Sequence, residues 1–131
     1  MRLLLDTHIA VWLLMDDRRL SAAARELLSG PNNDVVVSTV ALWEIAIKRV
    51  LNRRDPFAMP YSAQETYALL VAGGADILAV TAQHTFAVER LPAIHRDPFD
   101  RLMAAQALHE GMRLLTADRQ LAAYSDSFIL A

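Results

Sequence analysis

The chain has 131 residues and a formal net charge of -2 at pH 7, enough for one domain and too few for a second with its own core. With 54% hydrophobic and 21% charged residues it can bury a full core, which excludes a disordered chain. The absence of cysteine excludes disulfide scaffolds, thiol nucleophiles, CxxC redox pairs and cysteine zinc sites, and suits a reducing cytoplasm. No apolar run reaches the ~18 residues of a membrane span, and Asp6 cuts Leu3-Leu4-Leu5 short of a signal-peptide core, so a soluble, cytoplasmic protein is expected.

In chain order, Arg2-Leu3-Leu4-Leu5-Asp6 is a short apolar run ended by an acid, the pattern of a strand buried on both faces of a parallel sheet. Residues 8 to 15 then read as a helix, and Ser21 to Gly30 as a second one with a Ser cap and a Gly stop. Pro31-Asn32-Asn33-Asp34 is turn material before a strand at Val35-Val36-Val37, after which Ser38 caps a helix through about Val50. Leu51 to Tyr61, with Pro56 and Pro60, is the longest irregular connection. Ser62 and Glu65 have capping-box spacing and open a helix that ends at Gly73-Gly74. Asp76 to Val80 reads as a third strand, Thr81 to Arg90 as a helix, and Asp97-Pro98 as the start of a helix that runs to Gly111. Strands at Arg113 to Thr116, ending near Asp118, and at Ser127 to Leu130 complete the pattern. Strands alternating with helices predict a single α/β domain over residues 1 to 131, with a mainly parallel sheet and no internal repeat.

No GxxxxGK[ST], GxGxxG, HExxH or GxSxG motif is present. What remains is a set of acids at strand-to-helix junctions: Asp6, Glu44, Asp97, Asp100 and Asp118. In a parallel sheet those junctions share one edge, where ligands bind. Gathered carboxylates repel, and protons or cations must relieve them. Mg²⁺ or Mn²⁺, hard ions that take oxygen ligands, suits such a cluster and can activate water against a phosphodiester. The weak net charge argues against a protein that coats nucleic acid broadly. Setting aside four of the 15 acids as metal ligands, however, leaves 13 basic side chains against 11 acidic ones, so a basic rim around an acidic pocket remains open.

Four segments carry a family resemblance: Leu3-Leu4-Leu5-Asp6-Thr7-His8 with Trp12, Ser38-Thr39-Val40-Ala41-Leu42-Trp43-Glu44-Ile45, His95-Arg96-Asp97-Pro98-Phe99-Asp100-Arg101-Leu102-Met103-Ala104-Ala105-Gln106-Ala107, and Leu114-Leu115-Thr116-Ala117-Asp118. In this order and at these separations they resemble a PIN domain, specifically the VapC-like toxins of type II toxin-antitoxin pairs, over nearly the whole chain. The resemblance implies a five-stranded parallel sheet flanked by helices, a Mg²⁺-dependent endoribonuclease in which Mn²⁺ can substitute, a homodimer, and inhibition by a small cognate antitoxin protein. It carries the metal-binding and catalytic acids over to Asp6, Glu44, Asp100 and Asp118. It also sets Thr7, Ser38 and Thr116 beside them as small hydroxyl residues that orient carboxylates or water. Asp97, three residues ahead of Asp100, is the alternative third acid. An apolar groove near the helices at 8 to 30 and 39 to 50 would receive an antitoxin helix, with a basic side chain entering the acidic pocket.

Each of these residues also has a plainer reading. Asp97 before Pro98 is a sufficient helix cap, Asp100 at the third helical position gains from the helix dipole, and Asp6 or Thr7 caps the helix after the first strand. Glu44 reads equally as a solvent-facing acid on an apolar helix, and Asp118 as a turn residue. His8 and His95 lie near the candidate site as packing or hydrogen-bonding residues, with phosphate contact as the sharper alternative, while His84 and His109 read as exposed. Trp12 and Trp43 read as core or interface aromatics rather than base-stacking platforms. Lys48-Arg49, Arg53-Arg54, Arg96 and Arg101 either track an RNA backbone or are scattered surface charges. Two rival functions stand beside the nuclease. A second Mg²⁺-dependent phosphohydrolase class is disfavoured because Thr7-His8 follows Asp6 where Asp-x-Asp is needed. A catalytically silent protein-binding module would have no need of an acid at every junction.

Overall fold

The computed structural model describes residues 1–52 and 59–131. Strands and helices follow one another as β1 (Arg2–Leu5), α1 (Thr7–Met15), α2 (Ala22–Ser29), β2 (Asp34–Ser38), α3 (Thr39–Leu51), α4 (Ala63–Ala72), β3 (Asp76–Leu78), α5 (Ala82–Glu89), α6 (Pro98–Glu110), β4 (Arg113–Thr116), α7 (Arg119–Ala122) and β5 (Ile129–Leu130). The strands form one five-stranded parallel sheet in the order β3-β2-β1-β4-β5. In the central strand Leu4 sits opposite Val36 of β2 and Leu114 of β4.

Parallel neighbours need crossover connections, which place helices on the sheet faces. The apolar runs Leu3-Leu4-Leu5 of β1, Val35-Val36-Val37 of β2 and Leu114-Leu115 of β4 suit burial on both faces. Successive side chains alternate across the pleat. Leu3, Leu5, Val37 and Leu115 pack with Ile9, Ala24 and Leu70 of α1, α2 and α4 on one side. Leu4, Val36 and Leu114 pack with Ala104, Ala107 and Leu121 of α6 and α7 on the other. Leu3, Leu4, Leu5, Leu114 and Leu115 are fully buried, each stabilising the fold by about 2 kcal/mol through apolar area removed from water.

The caps explain where the helices begin. Ser21, Ser38, Ser62, Thr81 and Asp97 each accept a backbone N–H of the first turn, and Glu65 closes the capping box with Ser62. Gly111 ends α6 at φ 67°, a left-handed conformation that lets Met112 N–H reach Ala107 O at 2.8 Å before the chain turns into β4. Three expectations are corrected. The third and fifth strands are shorter than read, and Phe128 is buried in the core ahead of β5. Asp118 opens a four-residue helix, α7, where a strand end or turn was expected. His84 is fully buried, because Glu110 and Thr81 satisfy its two ring nitrogens; His109 is exposed as expected.

Leaving β1, the chain builds β2 and β3 on one side, then returns to place β4 and β5 on the other. Strand order thus reverses beside β1, which puts the switch point, where ligands bind in open parallel sheets, at the carboxyl ends of β1 and β4. Among the described residues no helix is long and apolar enough to cross a membrane.

Candidate metal centre

Asp6 stands at the end of β1 and does two jobs. One carboxylate oxygen caps α1 by accepting Ile9 N–H at 3.0 Å, and the other accepts the hydroxyl of Thr116 at the end of β4. Asp6, not Thr7, is therefore the cap. The side chain is only 5% exposed. Burial pushes the carboxyl above its ordinary range, with the negative charge of Glu44 adding to the push, while the Thr116 and Ile9 hydrogen bonds and the charge of His8 pull the other way.

Glu44 comes from the second turn of α3 and is buried, not solvent-facing, at 3% exposure. Its Oε1 accepts the Thr7 hydroxyl at 2.6 Å and its Oε2 pairs with Lys48 Nζ at 2.6 Å. The Thr7 hydroxyl, free of capping duty, thus ties α1 to α3. Ser38 is buried between β2 and α3, where its Oγ accepts Val40 N–H at 3.0 Å; it holds the helix that presents Glu44 and touches no carboxylate in the described contacts.

Asp100 sits in the first turn of α6. Burial first, then the charges of Asp97 and Glu44, push its carboxyl up to about 7, with Asp6 adding to the effect and His95 opposing it. Four carboxylates therefore share one field at this edge. Asp97 is held by capping, its Oδ1 accepting N–H groups of Phe99 at 2.9 Å and Asp100 at 3.2 Å. Asp118 caps α7 through Gln120 N–H at 2.8 Å and turns its Oδ2 to His95 Nε2 at 2.7 Å. Burial opposes ionisation of Asp118, but the His95 and Gln120 hydrogen bonds outweigh it and hold the carboxyl below its usual range.

His95 is the residue the sequence reading undervalued. Its Nδ1 accepts Asp97 N–H at 3.0 Å, which leaves the ring proton on Nε2, between Asp118 at 2.7 Å and Asp100 at 3.3 Å. One atom from each of His95, Asp100 and Asp118 lies within 4.8 Å of the others; with the proton on His95 Nε2, the two carboxylates supply the lone pairs for a cation and the ring donates to them, and Asp6 and Glu44 stand outside this group. The His-x-Asp spacing before Pro98 was the available signal, since it lets the ring close back on its own helix start. Tyr124 gave no signal at all, yet its hydroxyl accepts His95 N–H at 2.8 Å and Arg101 Nη1 at 3.1 Å. Arg101 also donates to the carbonyls of Pro92 at 3.1 Å and Val88 at 3.3 Å, so its guanidinium clamps the segment that carries His95. Arg49 is spent on Met59 O at 2.8 Å, and Lys48 on Glu44. Arg96 is exposed, and Arg53-Arg54 lie outside the described residues.

Trp43, 57% exposed and so not a core residue, meets Phe99 edge to face at 4.9 Å between ring centres. The pair adjoins Glu44 and Asp100 in the chain and forms an aromatic rim to the acids. Trp12 is half-buried beneath the Arg19 guanidinium, 4.9 Å from the ring centre. His8 is exposed, with its ring centre 6.1 Å from that of Trp12.

The donor set is hard oxygen with one imidazole beside it, and the raised Asp100 carboxyl records burial first and then repulsion by Asp97, Glu44 and Asp6, both of which a cation would offset. These residues fit a divalent ion.

Fold and site together define a small parallel α/β domain with a carboxylate-lined edge at its switch point. The family model for the PIN domain matches residues 3–126, and the chain belongs to the PIN domain family. Ribonuclease VapC22 of Mycobacterium tuberculosis is 29% identical over 119 residues, covering 90% of this chain and 88% of that protein. Among solved structures, VapBC2 from Rickettsia felis, bound to a DNA fragment from its promoter, superposes with a TM-score of 0.69 at 20% identity, covering 100% of this chain and 98% of that one. VapC20 of Mycobacterium tuberculosis, described as a sarcin-ricin loop cleaving toxin, gives 0.61 at 23% identity over 92% of this chain and 93% of that one. The five-stranded parallel sheet expected from the resemblance is the fold observed.

Proposed function

We propose that this chain is a divalent-metal-dependent endoribonuclease, the toxin of a toxin-antitoxin pair, with Asp6, Glu44, Asp100 and Asp118 as its metal-holding acids. The observation that carries this reading is the field that acids from the end of β1, α3 and the start of α6 share at this edge, where burial first and then the charges of Asp97, Glu44 and Asp6 push the Asp100 carboxyl up to about 7, with Asp118 joined to Asp100 through His95. The similarity to Ribonuclease VapC22 supports the activity, and the VapBC structures support an antitoxin partner. A homodimer in the cytoplasm, with Mg²⁺ as the ion and Mn²⁺ as a substitute, completes the proposal.

Bound at these carboxylates, such an ion supplies an activated water and charge neutralisation at a phosphodiester. The chain's own residues prepare for that. Thr116 and Thr7 fix the carboxylates of Asp6 and Glu44, so neither must reorganise. His95 spaces Asp100 from Asp118 and holds a proton at Nε2 between them. Beside the start of α6, a cavity of ≈ 420 Å³ lined in part by Arg96 and Arg101 offers the RNA backbone a basic path. Trp43 and Phe99 present apolar surface at the rim, where an antitoxin segment could dock and send a cationic side chain to the acids.

The test compares wild type with Asp6→Asn, in growth and in cleavage of a mixed RNA pool with Mg²⁺, Mn²⁺ or EDTA. Growth arrest and metal-dependent cleavage by wild type alone are expected. Full cleavage by Asp6→Asn, or cleavage undiminished by EDTA, would overturn the assignment.

A further inference from the structure

Lys48 is the only lysine among the 13 basic side chains of this protein, and it lies in the acidic site. Every other cation is a guanidinium, planar, weakly hydrated and suited to forked contacts, whereas an ammonium is a compact point charge on a flexible stem. Lys48 lies one turn beyond Glu44 on α3 and sets its Nζ 2.6 Å from Glu44 Oε2. The other oxygen of Glu44 is taken by the Thr7 hydroxyl at 2.6 Å. A carboxylate 3% exposed is costly to keep ionised without compensation, and here the chain provides the compensating charge itself.

Resting on the proposed metal site, we infer that Lys48 is a resident counter-cation of Glu44 that leaves when a divalent ion takes the same carboxylate. Both cations are drawn to the one carboxylate, most directly at Oε2, since Oε1 already accepts the Thr7 hydroxyl, and the two positive charges repel one another. Lys48 has somewhere to go: its side chain is 35% exposed, against 3% for Glu44, so rotation about its stem carries the ammonium to solvent while the carboxylate stays in place. The contact gives the metal-free protein a way to fold around its acids, and it sets a threshold that the ion must exceed before it binds. Once released, the ammonium lies at the rim where an RNA phosphate approaches.

The experiment titrates Mn²⁺ calorimetrically into wild type, Lys48→Met and Lys48→Arg. Removing the competing charge should tighten Mn²⁺ binding about tenfold in Lys48→Met, as expected for one close charge pair near the surface, while Lys48→Arg stays within about twofold of wild type. Binding by Lys48→Met equal to or weaker than wild type would show that Lys48 positions Glu44 for the ion and would overturn the inference. Absence of Mn²⁺ binding by all three proteins would overturn the metal site as well. Because Lys48 is the sole lysine, reductive ¹³C-methylation of the wild-type chain labels only Lys48 and the terminal amine, which gives a second readout free of any mutation. Saturating Mg²⁺ should move the Lys48 methyl signal to that of a solvated side chain and leave the terminal signal in place. A Lys48 signal unmoved by Mg²⁺ would refute displacement.

Discussion

Replacing Asp100 with Asn should stabilise the metal-free protein while abolishing metal binding, and the size of the effect follows from the site. The Asp100 carboxyl stands at about 7 against an ordinary 3.8. A displacement of roughly three pH units corresponds to about 4 kcal/mol at full strength, and because solvent screens part of this carboxyl about 3 kcal/mol of unfavourable interaction with the ionised form is expected to count. The sign is fixed by linkage: the folded state holds a proton that the unfolded chain has released, so stability falls as pH rises from about 4 to about 7 and stays low above that. At pH 8 wild type carries that penalty, whereas the neutral amide escapes the charge repulsion and pays only the smaller cost of burying a polar group. Against this, Asn gives up the favourable place of a carboxylate in the first turn of α6 and the long contact with His95 Nε2 at 3.3 Å, together about 1 to 2 kcal/mol. A net gain of about 1 to 2 kcal/mol remains, or about 4 to 8 °C in Tm for a domain of this size. Thermal unfolding in EDTA at pH 8 and pH 5 measures it directly. Asp100→Asn should melt well above wild type at pH 8, and the gap should shrink at pH 5, where wild-type Asp100 is protonated. A variant melting at or below wild type at pH 8, or a gap independent of pH, would show that the clustered acids are not in conflict and would remove the reason for a cation there.

Thr116→Val takes the hydroxyl from buried Asp6 and the acceptor from Asp118 N–H at 3.0 Å. It should cost about 1 to 3 kcal/mol in urea denaturation and weaken Mn²⁺ binding, and unchanged affinity would mean that Asp6 needs no orienting partner. Tyr124→Phe removes the acceptor shared by His95 N–H and Arg101. The expected loss is about 1 to 2 kcal/mol, with a fall in kcat larger than any change in KM, since the hydroxyl positions His95 without reaching the acids. Leu4→Ala opens a cavity beneath the central strand, where the side chain is fully buried. It should destabilise by about 3 to 5 kcal/mol and leave Mn²⁺ affinity unchanged in whatever fraction stays folded, because Leu4 faces α6 and α7 rather than the acids.

How far the site could be read in advance differed from residue to residue. Asp6, Glu44, Asp100 and Asp118 were legible as acids at junctions, because a parallel sheet must bring the carboxyl ends of its strands to one edge. The plainer roles of Asp6 as a cap and Asp100 as a first-turn acid were legible too, whereas Glu44 proved buried and Asp118 a helix cap; Asp6 and Asp118 each cap a helix with one oxygen and turn the other to a second side chain. Tyr124 was not legible, and His95 only through its spacing to Asp97. Their contact spans 29 residues, and no local pattern records a pairing made only when α6 and the segment after α7 pack side by side. His84 was misread for the same reason, since its burial depends on Glu110, 26 residues away.

By itself the sequence determined what depends on neighbours along the chain. Apolar runs without polar alternation specified strands covered on both faces, Ser, Thr and Asp set the helix starts, and Gly111 set a stop through a backbone conformation that other residues resist. Tertiary structure alone decided which polar atoms meet. Strand order β3-β2-β1-β4-β5 put the end of β4 beside the end of β1, so that Thr116 reaches Asp6 across 110 residues. The packing of α1 on α3 turned Thr7 toward Glu44, and burial, which no single segment can encode, pushed the carboxyls of Asp6 and Asp100 upward. Caps and strands are set by short-range sterics and hydrogen bonds, whereas the charge state of a clustered acid is set by everything that excludes water from it.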